Sequence, residues 1–168
     1  SEEYQEIFKY LSMIFTLLST LIVLYFIMRI IVGLDKPFPI GEALVTIEWP
    51  SPVFAKPITY LTFFILLAWL FGLESLRDRF LRVSDHWLRI MMIIATIFAF
   101  TSGYEALWNF AMWSAMVASK PTGNPDEMAN IYPNPQYPVN FVFATKIFVM
   151  LLFASLYFII FLLTIIWR

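Results

Sequence analysis

Long apolar runs alternate with short polar ones along this chain, and the runs have the lengths a bilayer demands. The first extends from about Ile7 to Leu34, the second from Ile58 to Leu76, the third from Leu88 to Ala118 and the fourth from Val139 to Trp167. A membrane-spanning helix needs about 20 predominantly apolar residues. The pattern therefore predicts four spans, about 7–34, 58–76, 88–118 and 139–167. It makes the whole chain, 1–168, one all-α integral membrane domain, a four-helix bundle. Spans three and four exceed the required length and should tilt or project into water.

The polar connections set an expected orientation. The stretch between spans two and three carries Arg77, Arg79, Arg82 and Arg89, and Lys9 and Arg168 lie near the two termini. The other two connections hold Lys36, Lys56 and Lys120. Lysine and arginine accumulate on the cytoplasmic side, so both termini and the arginine-rich connection are expected inside and the two longer loops outside. Leu76, Phe80, Val83 and Trp87 recur at helical spacing through the basic connection, which is expected to prolong span two or lie at the interface. Its arginines are candidate contacts for lipid phosphates on the inner surface.

Both outer loops are rich in proline and are expected to be ordered. In the first, Val45, Ile47 and Trp49 alternate with Thr46 and Glu48, a short strand signal that competes with a brief interfacial helix. In the second, Asn124, Pro125, Asp126 and Glu127 follow the order of a helix start: a cap, a proline in the first turn, then acids against the positive end of the helix dipole. A two-turn helix ending near Tyr132 is expected there.

Composition agrees with the pattern and removes several functions. Of 168 residues, 61% are hydrophobic and 14% charged, against about 45–50% and about 25% in soluble domains. A soluble domain of this size still exposes much of its surface, so lipid must be the solvent for most of the chain. A net charge of −1 offers nothing to nucleic acid. Cysteine is absent, which excludes disulfides and cysteine-ligated clusters within the chain. The one histidine, His86, rules out a bis-histidine haem or a multi-histidine metal site built from this chain alone. The acidic start SEEYQEIFKY lacks the basic region of a signal peptide, so the first span is expected to be retained.

Three charged residues fall inside the predicted spans: Arg29, Glu105 and Lys146. A charge there costs about 2.5–3.5 kcal/mol at the centre of a helix on insertion scales, so such residues face a bundle interior or mark a site. All three lie in the outer half of their spans. Ser102, Glu105, Ala106, Asn109 and Trp113 share a small, polar face of span three, and Lys146, Met150, Phe153 and Tyr157 share one on span four. Span one carries Ser12, Thr16 and Thr20 at i, i+4 spacing, a small-residue packing stripe, with Tyr25 and Arg29 on roughly the opposite side. The candidate intramembrane polar site is thus Glu105, Asn109, Lys146, Arg29 and Ser102. Its functional reading is an ion, proton or polar-substrate site open to the outside. Its simpler reading is an ion pair that fixes helix register, with Arg29 reaching to the interface.

No catalytic, phosphate-binding or zinc motif occurs, and no TVGYG-like filter sequence is present. Glu42, Glu48, Asp126 and Glu127 are better explained as dipole and solvation partners than as cation ligands. Aromatic residues make up 19% of the chain; such faces hold quinones or lipid tails in some proteins and packing contacts in most. The expected function is a non-catalytic subunit of a larger integral-membrane complex, respiratory or another oxidoreductase assembly among the candidates, or a self-associating structural membrane protein. It needs no cofactor of its own, and its partners are the bilayer and other membrane subunits or further copies. A small oligomeric ion, proton or solute transporter using Glu105 is the alternative, and an outer-face lipid- or quinone-binding enzyme the third.

Overall fold

The computed structural model describes residues 2–32, 44, 56–119 and 141–167, which form helices α1 (Glu2–Ile31), α2 (Pro57–Ser75), α3 (Arg77–Phe80), α4 (Asp85–Ser119) and α5 (Phe141–Ile166). Among the described residues the fold is all-helical. Helices α1, α2, α4 and α5 are each long and apolar enough to cross a membrane, the architecture of a multi-pass membrane protein. Most of the two outer loops lies outside the described residues, and with it the strand signal at 45–49 and the short helix expected at 124–132.

The helix ends follow local chemistry. Pro57 opens α2, where its missing N–H costs nothing. At the other end the chain turns at Leu76, whose N–H reaches the carbonyls of Gly72 and Leu73. The single turn α3 and residues 81–84 then lead into α4, whose first turn is tied by the Leu88 N–H to the Ser84 carbonyl. Helix α1 begins at Glu2, earlier than the apolar run alone predicts, because the polar residues before Ile7 continue the same helical turns. At a 1.5 Å rise per residue α1 is about 45 Å long and α4 about 52 Å. Both exceed the hydrocarbon thickness of about 30 Å, so they tilt or emerge from it.

The four spans stand in a row, in the order α1, α2, α5, α4. The broad contacts are α1 with α2, α2 with α5, and α5 with α4. Each junction has its own chemistry. Between α1 and α2, Phe15 and Phe8 both stack on Phe71 with ring centroids 5.9 Å apart. Beside them the Ser12 hydroxyl donates to the Ala68 carbonyl at 2.8 Å. Between α2 and α5, the Trp69 indole donates to the Ala154 carbonyl at 3.2 Å. Between α5 and α4, the buried Ala95, Ala99, Ser102, Ala106 and Asn109 form a seam of mostly small side chains. Gly103 lies beside Leu152 on the same junction. Small residues let two backbones approach, which is how helices gain contact where lipid and side chain are equally apolar.

Two apolar clusters anchor the ends of the row. Ile22, Phe26, Ile58 and Leu61 pack together towards the long loops, joined by Phe143 and Ile147 of α5. At the opposite end Leu73, Leu88, Phe161, Leu162 and Ile165 form the second cluster, and Phe80 and Val83 of the basic connection pack against it. The helical spacing seen in that connection therefore splits. Phe80 and Val83 turn inward and close the gap between α2 and α4, while Leu76 and Trp87 stay exposed.

Candidate functional site

Two groups of polar side chains stand out among the described residues, at two levels of the row. The first is the predicted site near the long loops. Asn109, fully buried at 0% exposure, donates its side-chain amide to the Glu105 backbone carbonyl one turn earlier, at 2.8 Å. Ser102 is buried on the same seam. Lys146 is half-buried on α5 and donates to the Thr59 hydroxyl in the first turn of α2. Arg29 donates to the Tyr25 hydroxyl one turn earlier at 3.2 Å, with its guanidinium 5.7 Å above that ring.

Residues advance about 100° each around a helix. On α4, Ser102, Ala106 and Asn109 point at α5, whereas Glu105 falls in line with Ile94 and Phe98 on a neighbouring face. On α5, Lys146 lies on the side that meets α2. Ser102 and Asn109 are thus buried in the α4–α5 junction, while Lys146 reaches Thr59 of α2 and also lines a cavity with Phe110 and Trp113 of α4. Arg29 belongs to α1, at the end of the row away from α4.

The second level lies at the arginine-rich end and was not assembled from sequence. Arg77 donates two parallel hydrogen bonds to Glu74, Nε to Oε2 and a terminal nitrogen to Oε1, both at 2.9 Å. Tyr157 of α5 donates its hydroxyl to the same Oε1 at 2.7 Å. The other arm of Arg77 donates to Thr164 at 3.2 Å, and its guanidinium lies 5.1 Å from the centre of the Phe161 ring. The Glu74 hydrogen bonds hold the Arg77 guanidinium above its ordinary pKa. Arg77, a candidate lipid contact by sequence, is thus spent largely on protein, while Arg79, Arg82 and Arg89 remain exposed. The signal available in sequence was the Glu74–Arg77 spacing, three residues apart across a helix end. Nothing in it pointed to Tyr157 or Thr164, 83 and 87 residues away from their partners.

A groove of about 350 Å3 lies among α2, α4 and α5, walled by Trp69, Ile94, Phe98 and Leu151 among others. Near the long loops a smaller cavity of about 140 Å3 is lined by Phe110, Trp113, Phe141, Thr145 and Lys146. Among the described residues the buried Trp113 indole nitrogen has no hydrogen-bond partner. Among the described residues no group of three histidines, cysteines or acids is placed to hold a metal.

No family model matches this chain, and neither a curated protein nor a solved structure matches it.

Proposed function

We propose that the chain is a non-catalytic subunit of a larger integral-membrane complex, respiratory or another oxidoreductase assembly among the candidates, or a structural membrane protein that associates with further copies of itself. The observation that carries this reading is the open row. Helix α1 rests on α2 alone among its broad contacts, and α4 on α5 alone. Both end helices therefore leave most of their circumference uncovered, including Met13, Leu17, Leu24 and Met28 on α1 and Phe100, Leu107 and Phe110 on α4. Polar groups are used to join helices, as in Lys146 with Thr59 and Tyr157 with Glu74, which is a scaffold's use of them. We further propose that both termini and the connection bearing Arg77, Arg79, Arg82 and Arg89 face the cytoplasm, on the strength of the lysine and arginine bias.

Gentle detergent extraction of the native membrane, with mass and identity analysis of whatever travels with the chain, tests the reading. Stoichiometric companion subunits or a defined homo-oligomer are expected. A monodisperse single copy would refute it and move the weight to transport. Proton or ion flux in liposomes, abolished by Glu105→Gln, would then be the decisive assay.

A further inference from the structure

The arginine-rich connection begins at a defined depth. From Pro57 to Ser75, α2 is 19 residues long, which is about 28 Å at 1.5 Å per residue. That is close to the hydrocarbon thickness of about 30 Å. Helix α3, which starts at Arg77, therefore lies at the boundary where lipid phosphates begin. Phe80 and Val83 anchor the connection there by packing against the cluster of Leu73, Leu88 and Phe161.

Local backbone geometry sorts the side chains of this turn. The Arg79 N–H donates to the Leu76 carbonyl at 2.9 Å, the Arg82 N–H to that of Arg79 at 3.1 Å and the Val83 N–H to that of Phe80 at 3.0 Å. Hydrogen bonds that span three residues eclipse the side chains three apart. Phe80 and Val83 thus share the inward edge, and Arg79 and Arg82 share another, where both are exposed. Leu76 continues the arginine edge back towards the end of α2. Leu76, Leu81 and Trp87 are exposed as well, so the connection presents apolar and basic surface together, as suits the headgroup layer.

The neighbouring acids leave these two cations unbalanced. Glu74 is committed to Arg77 and Tyr157. Among the described residues the carboxylates of Asp78 and Asp85 form no ion pair with either arginine. Arg82 donates its Nε to the Asp78 backbone carbonyl at 3.4 Å, which steadies the side chain and leaves its terminal nitrogens as donors. Guanidinium forks match phosphate oxygens in geometry and charge.

We infer that Arg79 and Arg82 together hold the headgroup phosphate of an anionic phospholipid at the end of α2. Arg77, bound to Glu74, is not part of the site. A zwitterionic lipid is disfavoured, because its own ammonium group offsets the attraction of its phosphate for two cations that no acid balances. The inference rests neither on the subunit reading nor on which side faces the cytoplasm, since one copy in any bilayer suffices.

The test uses the full-length protein in nanodiscs of equal phosphatidylglycerol and phosphatidylcholine, released into native mass spectrometry to count the retained lipids of each kind. Wild type is expected to retain phosphatidylglycerol over phosphatidylcholine by at least about fivefold, the scale of one arginine near an anionic surface. The double variant Arg79→Gln, Arg82→Gln is expected to bring the ratio close to one. Each change alone should lower it by an intermediate amount, which keeps the test open should the double variant fail to insert. Lys9→Gln, which removes an exposed cation of α1, should leave the ratio unchanged. No preference in wild type, or a preference that survives the arginine changes, would overturn the assignment. An equal loss in Lys9→Gln would overturn it by making the preference a matter of overall charge. Displacement of the lipid by millimolar inorganic phosphate would give the site to a free anion, and arginine-dependent capture of an acidic subunit in place of lipid would give it to a protein; either result overturns the lipid assignment.

Discussion

Tyr157 and Glu74 are joined by a 2.7 Å hydrogen bond between helices that sequence separates by 83 residues, and Glu74 uses the same oxygen to accept from Arg77. The bond decides how α5 sits against the end of α2. It also gives a carboxylate at the end of a membrane helix three donors, which offsets its desolvation. Tyr157→Phe keeps the ring and deletes the donor. The variant is expected to lose about 1 kcal/mol of stability, below the usual range of about 1.5–3 kcal/mol for a hydrogen bond to a charged group because the site is part-exposed. Reversible unfolding in mixed micelles measures it, and an unchanged midpoint would show the bond to be incidental.

Arg77 should not be replaceable by lysine. Its fork to Glu74, its bond to Thr164 and its position over Phe161 need a planar group with several donors, which an ammonium does not supply. Arg77→Lys and Arg77→Met are both expected to be destabilised, by about 1 kcal/mol. In a double-mutant cycle with Glu74→Gln the two changes should be clearly non-additive. Additive effects would count against the pairing.

Lys146 and Thr59 should respond asymmetrically. Lys146→Met removes a charge from the membrane span and replaces its stem by one of similar shape, so stability is expected to hold or rise. Thr59→Val keeps the ammonium and deletes its acceptor, and is expected to cost about 1–3 kcal/mol. Thermal unfolding of the two variants side by side reads the contrast. If Lys146→Met were the more damaging, the lysine would be holding something beyond Thr59.

Gly72 is the tight point of the α1–α2 junction. A Cβ there would come within 3.2 Å of the Ser12 hydroxyl oxygen, which is already donating to Ala68. Gly72→Leu is expected to prise the helices apart and cost about 1–3 kcal/mol, as overpacking does. Gly72→Ala should be milder, and Ser12→Ala in the same chain should recover part of its loss. Unfolding midpoints of the three chains decide the matter; no recovery would mean that something other than this oxygen sets the spacing.

Four membrane-length helices were legible in the sequence because burial in lipid is written residue by residue. Each span must be apolar over about 20 residues whatever it packs against. The seam of Ser102, Ala106 and Asn109 was legible for a related reason, since polar and small side chains at helical spacing have nowhere to point but another helix. Neighbour order was not written this way. In lipid almost any apolar face is acceptable at the surface, so composition alone does not tell which helix lies beside which. The tertiary structure chose the row α1, α2, α5, α4. That choice turned Lys146 to Thr59 and brought Tyr157 and Thr164 to the Glu74–Arg77 pair. It also left an apolar groove that no run of residues could announce, because its walls come from three helices.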